Sequence, residues 1–462
     1  MNYDVIIIGS GPGGYVAAIR ASQLGLKVAV VEKENLGGIC LNWGCIPTKS
    51  LLKSAQVFEY AKHAADYGVS IQGDVKPDLD AMVKRSRGVA ESMSKGIQFL
   101  FKKNKVELIS GFGKLTGKNT VEVAGESETT TYTAKHIILA TGARSCELPN
   151  LPHDGQKIIG YRQAITLDKQ PESMVVVGSG AIGSELACFY QSIGTDVTLV
   201  EFMPTLVPNE DEEVAKQLER SFKKMKMKIH TSSLVEKVDT SGKECKVYIK
   251  TKKGEEIVNA DIVLLAVGIT PNIERIGLEE AGVITQNGKV KVDEYYKTNV
   301  EGIYAIGDIV AGAALAHVAS AEGIVCVEKI AGLNPEPLNY DNIPKCTYTN
   351  PEISSVGLTE AGAKEAGYDI KVGKFPYLAS GKANAAGQRD GFVKLIFNAK
   401  CGELLGAHLI GGNVTEMIAE LAVARKLGIT GHELLKIIHP HPTMSEAIME
   451  AAAAAYNEAI HI

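Results

Sequence analysis

The chain is poor in cysteine, in net charge and in tryptophan, and the first two shortages each exclude a class of protein. Eight cysteines in 462 residues are too few to staple a chain of this length, which excludes a secreted disulfide scaffold and leaves most of them expected as reduced thiols. A net charge of -5 offers no basic excess, so a general binder of nucleic acid or of anionic membranes is excluded. No uncharged stretch approaches the ~18 apolar residues of a membrane helix. Met1-Asn2-Tyr3-Asp4 runs into Val5-Ile6-Ile7-Ile8 with no basic leader, and the expected location is the cytoplasm. Trp43 is the only tryptophan.

Glycine, by contrast, is plentiful. The 47 glycines against 16 prolines demand tight turns and close backbone approaches, which a long α/β chain supplies. The length corresponds to roughly three domains of ~150 residues. Its most informative feature is an internal repeat. Val5-Ile6-Ile7-Ile8 leads into Gly9-Ser10-Gly11-Pro12-Gly13-Gly14, an apolar helical stretch to Gly25, and Val28-Ala29-Val30-Val31-Glu32. Val175-Val176-Val177 leads into Gly178-Ser179-Gly180-Ala181-Ile182-Gly183, another apolar stretch to Gly194, and Val197-Thr198-Leu199-Val200-Glu201. The copies close with Ile137 to Gly142 and with Ile262 to Gly268, apolar strands ending in small residues. One G-x-G-x-x-G is a weak signal, whereas two in the order strand, loop, helix, strand, each with an acid at the same distance, are strong.

The chemistry follows from the spacing. Gly9 and Gly178 allow the turn, Gly11 and Gly180 let backbone approach a pyrophosphate, and Gly14 and Gly183 let helix pack on strand. The helix start attracts the two phosphate charges, and Glu32 and Glu201 would accept hydrogen bonds from ribose hydroxyls. An acid there opposes a 2'-phosphate, so NAD rather than NADP is expected. Two sites suggest two dinucleotides, a hydride donor and an acceptor, with FAD and NAD the economical pair.

Gly37-Gly38-Ile39-Cys40-Leu41-Asn42-Trp43-Gly44-Cys45-Ile46-Pro47-Thr48-Lys49 is the sharpest local signal. Five residues of regular helix rise ~7.5 Å, beyond the ~6.8 Å Cα limit of a disulfide, so Cys40 and Cys45 can bond only if the chain leaves the helix between them. Pro47 suits the first turn of a following helix, which puts Cys45 near a helix N-terminus where a thiolate is stabilised. Spacing alone leaves free thiols, metal ligands and a redox pair open. Position immediately after Glu32 favours redox chemistry, and assigns the first loop to FAD.

Gly-Gly-x-Cys-x-Asn-x-Gly-Cys-x-Pro-x-Lys resembles the redox segment of the flavoprotein disulfide reductases, and Cys-Leu-Asn-x-Gly-Cys-Ile-Pro-x-Lys matches the dihydrolipoyl dehydrogenase branch residue for residue. Trp43 departs from the pattern, standing where a small apolar residue is expected. The resemblance runs essentially the whole chain. It implies an α/β fold with two Rossmann-like dinucleotide-binding domains and a C-terminal α+β dimerisation domain. The FAD domain is expected at 1–145 and 272–340, the NAD domain at 146–271 and the dimerisation domain at 341–462.

It also implies residue roles. FAD would be held by Gly9, Gly11, Gly14, Glu32, Lys49, Gly113, Thr141, Gly142, Asp308 and Ala316. NAD would be held by Gly178, Gly180, Gly183, Glu185, Glu201 and Gly268, and Lys49 would pair with Glu185 beside the flavin. His-Pro-Thr-x-x-Glu at His441 to Glu446 resembles the family's base motif, so Cys40, Cys45, His441 and Glu446 form the expected catalytic set. Each proline of His439-Pro440-His441-Pro442 keeps the preceding histidine off helical backbone, and Ser445 or Thr443 could cap the helix that follows. The two histidines have no local Cys or Asp partners, so no metal site is expected. His317 is expected in the core, and Cys146, Cys188, Cys245, Cys326, Cys346 and Cys401 match no redox pattern.

The implied reaction is oxidation of protein-bound dihydrolipoyl groups by NAD. The implied partners are a second copy of the chain and either the lipoyl domains and acyltransferase core of a 2-oxoacid dehydrogenase complex or the lipoyl carrier of glycine cleavage. Glu201 weakens a glutathione reductase reading, the lack of any cysteine after Cys401 weakens a mercuric reductase reading, and the complete catalytic set weakens a flavin sensor without turnover.

Overall fold

The computed structural model describes residues 2–462. They pack as two compact units, residues 2–51 with 80–146 and 269–340, and residues 52–79 with 147–268 and 341–462.

In the first unit, parallel strands lie in the order Glu107–Ser110, Val28–Glu32, Tyr3–Ile8, Thr129–Leu139, Ile303–Ala305. Ile7 pairs with Val30 on one side and Ile138 on the other. Val5, Ile6 and Ile7 are all fully buried, as befits a strand covered on both faces, which explains a continuous apolar run rather than an alternating one. The start of the long strand Thr129–Leu139 also pairs antiparallel with Thr120–Ala124, which pairs with Phe112–Gly117. Helices Pro12–Gln23 and Ala316–Ile330 pack tightly through small residues: a Cβ on Gly323 would lie 2.7 Å from the Gly13 carbonyl. Arg20 and Glu328 pair across the same two helices at 2.6 Å.

The second helix begins later than its sequence pattern predicts. The apolar run starts at Ala311, but Gly312 takes φ +128° and Leu315 is extended, so the helix starts at Ala316. His317, expected in the core, is exposed in the first turn.

The second unit repeats the plan. Its parallel sheet has the order Lys228–His230, Asp196–Val200, Ser173–Val177, Ile262–Leu265, Ile158–Ile159, accompanied by an antiparallel meander of Leu234–Asp239, Cys245–Thr251 and Gly254–Ala260. The C-terminal part forms an antiparallel sheet in the order Lys345–Thr347, Glu352–Gly357, Leu404–Gly411, Phe392–Asn398, Ile370–Pro376. Helices Val414–Lys426 and Glu446–Ala455 cover it, the latter so closely that a Cβ on Gly373 would sit 1.9 Å from the Ala451 carbonyl.

One strand carries a charge on a buried face. Lys394, in Phe392–Asn398, shares its face with the buried Phe392 and Ile396, and its side chain is 2% exposed. Its ammonium lies 2.9 Å from Asp211, 2.9 Å from Glu213 and 2.8 Å from Glu360. Three carboxylates compensate the buried cation, so both faces of the strand are covered.

Candidate active site

The two glycine loops have matching geometry. Each lies between a parallel strand and a helix whose N-cap is the second glycine, Gly11 for Pro12–Gln23 and Gly180 for Ala181–Ser192. Gly9 at φ +107° and Gly178 at φ +96° make the turn, and a Cβ on Gly14 or Gly183 would fall 1.9 or 2.0 Å from the carbonyl of Gly9 or Gly178. Packing within the chain therefore requires the first and third glycines. The second ones differ: a Cβ on Gly11 or Gly180 meets nothing within 4 Å. Open space at a helix N-terminus, bordered by free amides, fits a dinucleotide pyrophosphate in both loops.

The acids are fixed identically. Glu32 Oε2 accepts from the Ser10 amide at 2.9 Å and the Ser10 hydroxyl at 2.6 Å, while Oε1 accepts from the Glu34 amide at 2.9 Å. Glu201 Oε2 accepts from the Ser179 amide at 2.8 Å and hydroxyl at 2.7 Å, while Oε1 accepts from the Met203 amide at 2.7 Å. In each carboxylate Oε2 is filled by its two serine donors, while Oε1 accepts only one bond and keeps a lone pair for a ribose hydroxyl. Ser10 and Ser179 occupy an unspecified position of G-x-G-x-x-G, and their recurrence in both copies is the sequence signal that marks them.

Cys40 and Cys45 form a disulfide with Cα atoms 4.8 Å apart. A helix Gly38–Asn42 ends at Trp43, and a second, Cys45–Lys62, begins at Cys45 itself, so the chain leaves the helix between the two sulfurs. Gly44 eases the approach there: a Cβ would lie 3.3 Å from the Ile39 carbonyl, a tight contact that a shift of a few tenths of an ångström would relieve. The segment leans directly on the first nucleotide loop. Gly37 N–H donates to the Ser10 carbonyl at 3.1 Å, and a Cβ on Gly38 would come within 2.7 Å of the Gly11 Cα. Asn42, buried, ties the turn by donating to the carbonyls of Leu36 and Gly38, both at 2.9 Å. The Trp43 ring lies under the Arg87 guanidinium at 4.4 Å, and Arg87 also donates to the Asn42 carbonyl. A cation–π contact thus accommodates the residue that departs from the family pattern. Lys49 lies one turn beyond Cys45 on the same helix.

Elsewhere in this unit, Thr141 Oγ1 donates to the Asn272 carbonyl at 2.6 Å, and the Asn272 amide group returns a bond to the Thr141 carbonyl at 3.0 Å, fixing the turn at Gly142. Gly113 is packed against Ile8 and Val31, where a Cβ would come within 3.1 Å of both side chains. Asp308 sits in the 3-10 turn Gly307–Ile309, and burial raises its pKa above the ordinary carboxylate value. Ala316 opens the helix that follows.

In the second unit, Glu185 is buried on the helix Ala181–Ser192 and accepts from the Tyr348 amide at 2.9 Å. Gly268 takes φ +132° after the strand Ile262–Leu265. His441 Nδ1 lies 2.8 Å from Glu446 Oε1, and the imidazole is 78% exposed. Neither Ser445 nor Thr443 caps the helix with its side chain; Thr443 instead donates its hydroxyl to the Pro440 carbonyl at 2.8 Å. Glu446 Oε2 takes the Thr443 amide at 2.7 Å, so one carboxylate both closes the helix start and holds the ring. Burial acts to raise the Glu446 pKa, but the Thr443 amide and His441 outweigh it and hold it below the ordinary value. His439 is engaged separately with Glu420 at 2.8 Å, a bond that raises its pKa.

The other six cysteines form no disulfide, and burial raises the pKa of the Cys188, Cys245 and Cys326 thiols, which suppresses the thiolate a redox role requires.

A family model described as pyridine nucleotide-disulphide oxidoreductase matches residues 3–323, and one for the dimerisation domain of the same family matches residues 343–452. The chain is 51% identical to a dihydrolipoyl dehydrogenase of Rhizobium etli, over 100% of this chain and 99% of that protein. It is 46% identical to a dihydrolipoyl dehydrogenase of Zymomonas mobilis, over 100% of this chain and 99% of that one. Among solved structures it is similar to LpdA from Mycobacterium tuberculosis, with a TM-score of 0.90 at 27% identity, covering 97% of this chain and 98% of the other.

Proposed function

The chain belongs to the pyridine nucleotide-disulphide oxidoreductase family, and from that membership we propose that it oxidises protein-bound dihydrolipoyl groups to the lipoyl disulfide with NAD, using FAD and the Cys40–Cys45 pair. The observation that carries this reading is the disulfide at a helix start, leaning on a glycine loop shaped for a pyrophosphate.

In the proposed mechanism, His441 Nε2 takes the proton of one substrate thiol, since Nδ1 is engaged by Glu446 and the ring is exposed. The thiolate attacks Cys40 sulfur, the Cys40–Cys45 bond breaks, and Cys45 leaves as a thiolate stabilised at its helix N-terminus. The second substrate thiol then attacks the substrate sulfur of the mixed disulfide while the protonated His441 gives its proton to the departing Cys40 sulfur and takes that of the attacking thiol, which releases the lipoyl disulfide and leaves Cys40 as thiol, Cys45 as thiolate and His441 protonated. Glu446 remains ionised and steadies the protonated imidazole between the two transfers.

FAD, when bound, supplies the relay that carries the two electrons from the dithiol to NAD. Gly9, Gly11, Gly14 and Glu32 would hold its adenosine diphosphate, with Lys49, Gly113, Thr141, Gly142, Asp308 and Ala316 along the rest. Gly178, Gly180, Gly183, Glu185, Glu201 and Gly268 would serve NAD, and Glu201 repels a 2'-phosphate. Residues 1–145 and 272–340 would form the FAD domain, 146–271 the NAD domain and 341–462 the dimerisation domain. The chain acts as a homodimer in the cytoplasm, with His441 serving the disulfide of the other subunit. Its partners are the lipoyl domains and acyltransferase core of 2-oxoacid dehydrogenase complexes, or the lipoyl carrier of glycine cleavage.

The test is a steady-state comparison of dihydrolipoamide, glutathione and mercuric ion as redox substrates, each with the NAD and the NADP couple. Turnover confined to dihydrolipoamide with NAD is expected. A preference for NADP or for glutathione overturns the reading.

A further inference from the structure

The buried acid Glu322, on the helix Ala316–Ile330, has no part in the mechanism above. It is 1% exposed, and both its oxygens are occupied. Oε2 accepts from the Gly307 amide at 2.6 Å, and Oε1 accepts from the Tyr340 hydroxyl at 2.7 Å. With its hydroxyl hydrogen donated to Glu322, Tyr340 can only accept from Tyr296, whose hydroxyl is 3.1 Å away. The Tyr340 ring also closes over Gly312, where a Cβ would stand 2.8 Å from the ring edge.

The contacts converge on two backbone segments. Gly307, at φ +75°, opens the turn that carries Asp308, and Gly312 lies in the extended segment that delivers Ala316 to the helix start. From this arrangement we infer that Glu322, acting with Tyr340, is a positioning residue that sets the Asp308 turn and the Ala316 segment against the flavin. The inference rests on the FAD reading above. Glu322 touches no substrate itself; it acts through the Gly307 amide and the Tyr340 ring.

The network also has a protonation state to lose. Burial raises the Glu322 pKa to about 7, even though its bonds to Tyr340 and Gly307 and the charge of Lys289 lower it, while Asp308 adds to the rise. Cys326, on the same helix, is a buried neutral thiol, and the Tyr296 hydroxyl is pushed up to about 12, so neither competes for the proton near neutrality. An ionised Glu322 makes charge-assisted bonds, roughly twice as strong as those a neutral carboxyl makes. The hold is therefore strong above the Glu322 pKa and weakens as pH falls through it.

The experiment follows FAD release from the purified holoenzyme by the rise in flavin fluorescence, between about pH 6 and about pH 8, in wild type, Glu322→Gln, Tyr340→Phe and Tyr296→Phe. Wild type should release FAD about tenfold faster at the acid end, the span expected of a charge-assisted bond becoming a neutral one. Glu322→Gln, neutral at every pH, should show the fast rate throughout with no inflection. Tyr340→Phe keeps the ring on Gly312 and removes only the hydroxyl, and should give an intermediate rate; Tyr296→Phe should give a smaller effect. A Glu322→Gln or Tyr340→Phe protein with the wild-type rate and pH profile overturns the inference while leaving the FAD reading intact. A wild-type protein that purifies without flavin and binds none on addition overturns both.

Discussion

Gly180→Ala separates what the fold needs from what the ligand needs. The added methyl meets no atom within 4 Å, and the backbone at φ -60°, ψ -179° is extended and open to any residue. The cost to folding is then only that of a poorer N-cap, about 1 kcal/mol. Gly183→Ala, three residues on, puts a methyl 2.0 Å from the Gly178 carbonyl and 3.2 Å from the Ala266 side chain, forcing helix and strand apart at about 1–3 kcal/mol or more. For NAD the ranking reverses. A methyl at Gly180 stands where a phosphate would approach the helix amides, and loss of one charge-assisted bond, about 1.5–3 kcal/mol, weakens binding roughly 10- to 150-fold. The assay is KM for NAD and for NADH beside the urea midpoint and flavin content of both variants. Gly180→Ala should keep its FAD and nearly all of its stability while KM rises at least tenfold. An unchanged KM would refute the assignment of that space to the pyrophosphate, and a Gly180→Ala protein as unstable as Gly183→Ala would refute the steric argument.

Lys394→Met should destabilise the unit holding it by about 3–5 kcal/mol, because Asp211 is left buried without its cation; adding Asp211→Asn should recover much of that, read as denaturant midpoints. Cys45→Ser should abolish the long-wavelength thiolate-to-flavin absorption on two-electron reduction, and an intact band would remove Cys45 from the flavin side. His441→Gln should slow dithiol turnover by about 10²-fold or more while NADH-to-dye activity survives, and equal loss in both assays would take His441 out of the base role.

The strands and glycine loops of the nucleotide folds were legible because their signals are local: a strand, a turn, a helix start and an acid in order, twice. The break between Cys40 and Cys45 followed from rise per residue once the two were read as a bonded pair. What escaped depended on distant partners. Lys394 is a lone charge in an otherwise apolar strand, and only Asp211, Glu213 and Glu360, brought in from elsewhere in the chain, make its burial tolerable. Glu322 looked like one more helix residue until folding set Gly307 and Tyr340 on its two oxygens. The helix that begins at Glu446 is preceded by two good capping residues, yet the carboxylate that reaches His441 also takes the Thr443 amide, so the hydroxyls are not needed there. The apolar run from Ala311 misled because Gly312 breaks from helical backbone for reasons of packing against Tyr340.

The most direct test of the central claim is a thiol map before and after anaerobic addition of one equivalent of dihydrolipoamide, with alkylation followed by peptide mass analysis. New label at Cys40 and Cys45 alone, with no gain at the six other cysteines and none when glutathione replaces dihydrolipoamide, is the predicted result. New label elsewhere, or none at Cys40 and Cys45, would contradict it.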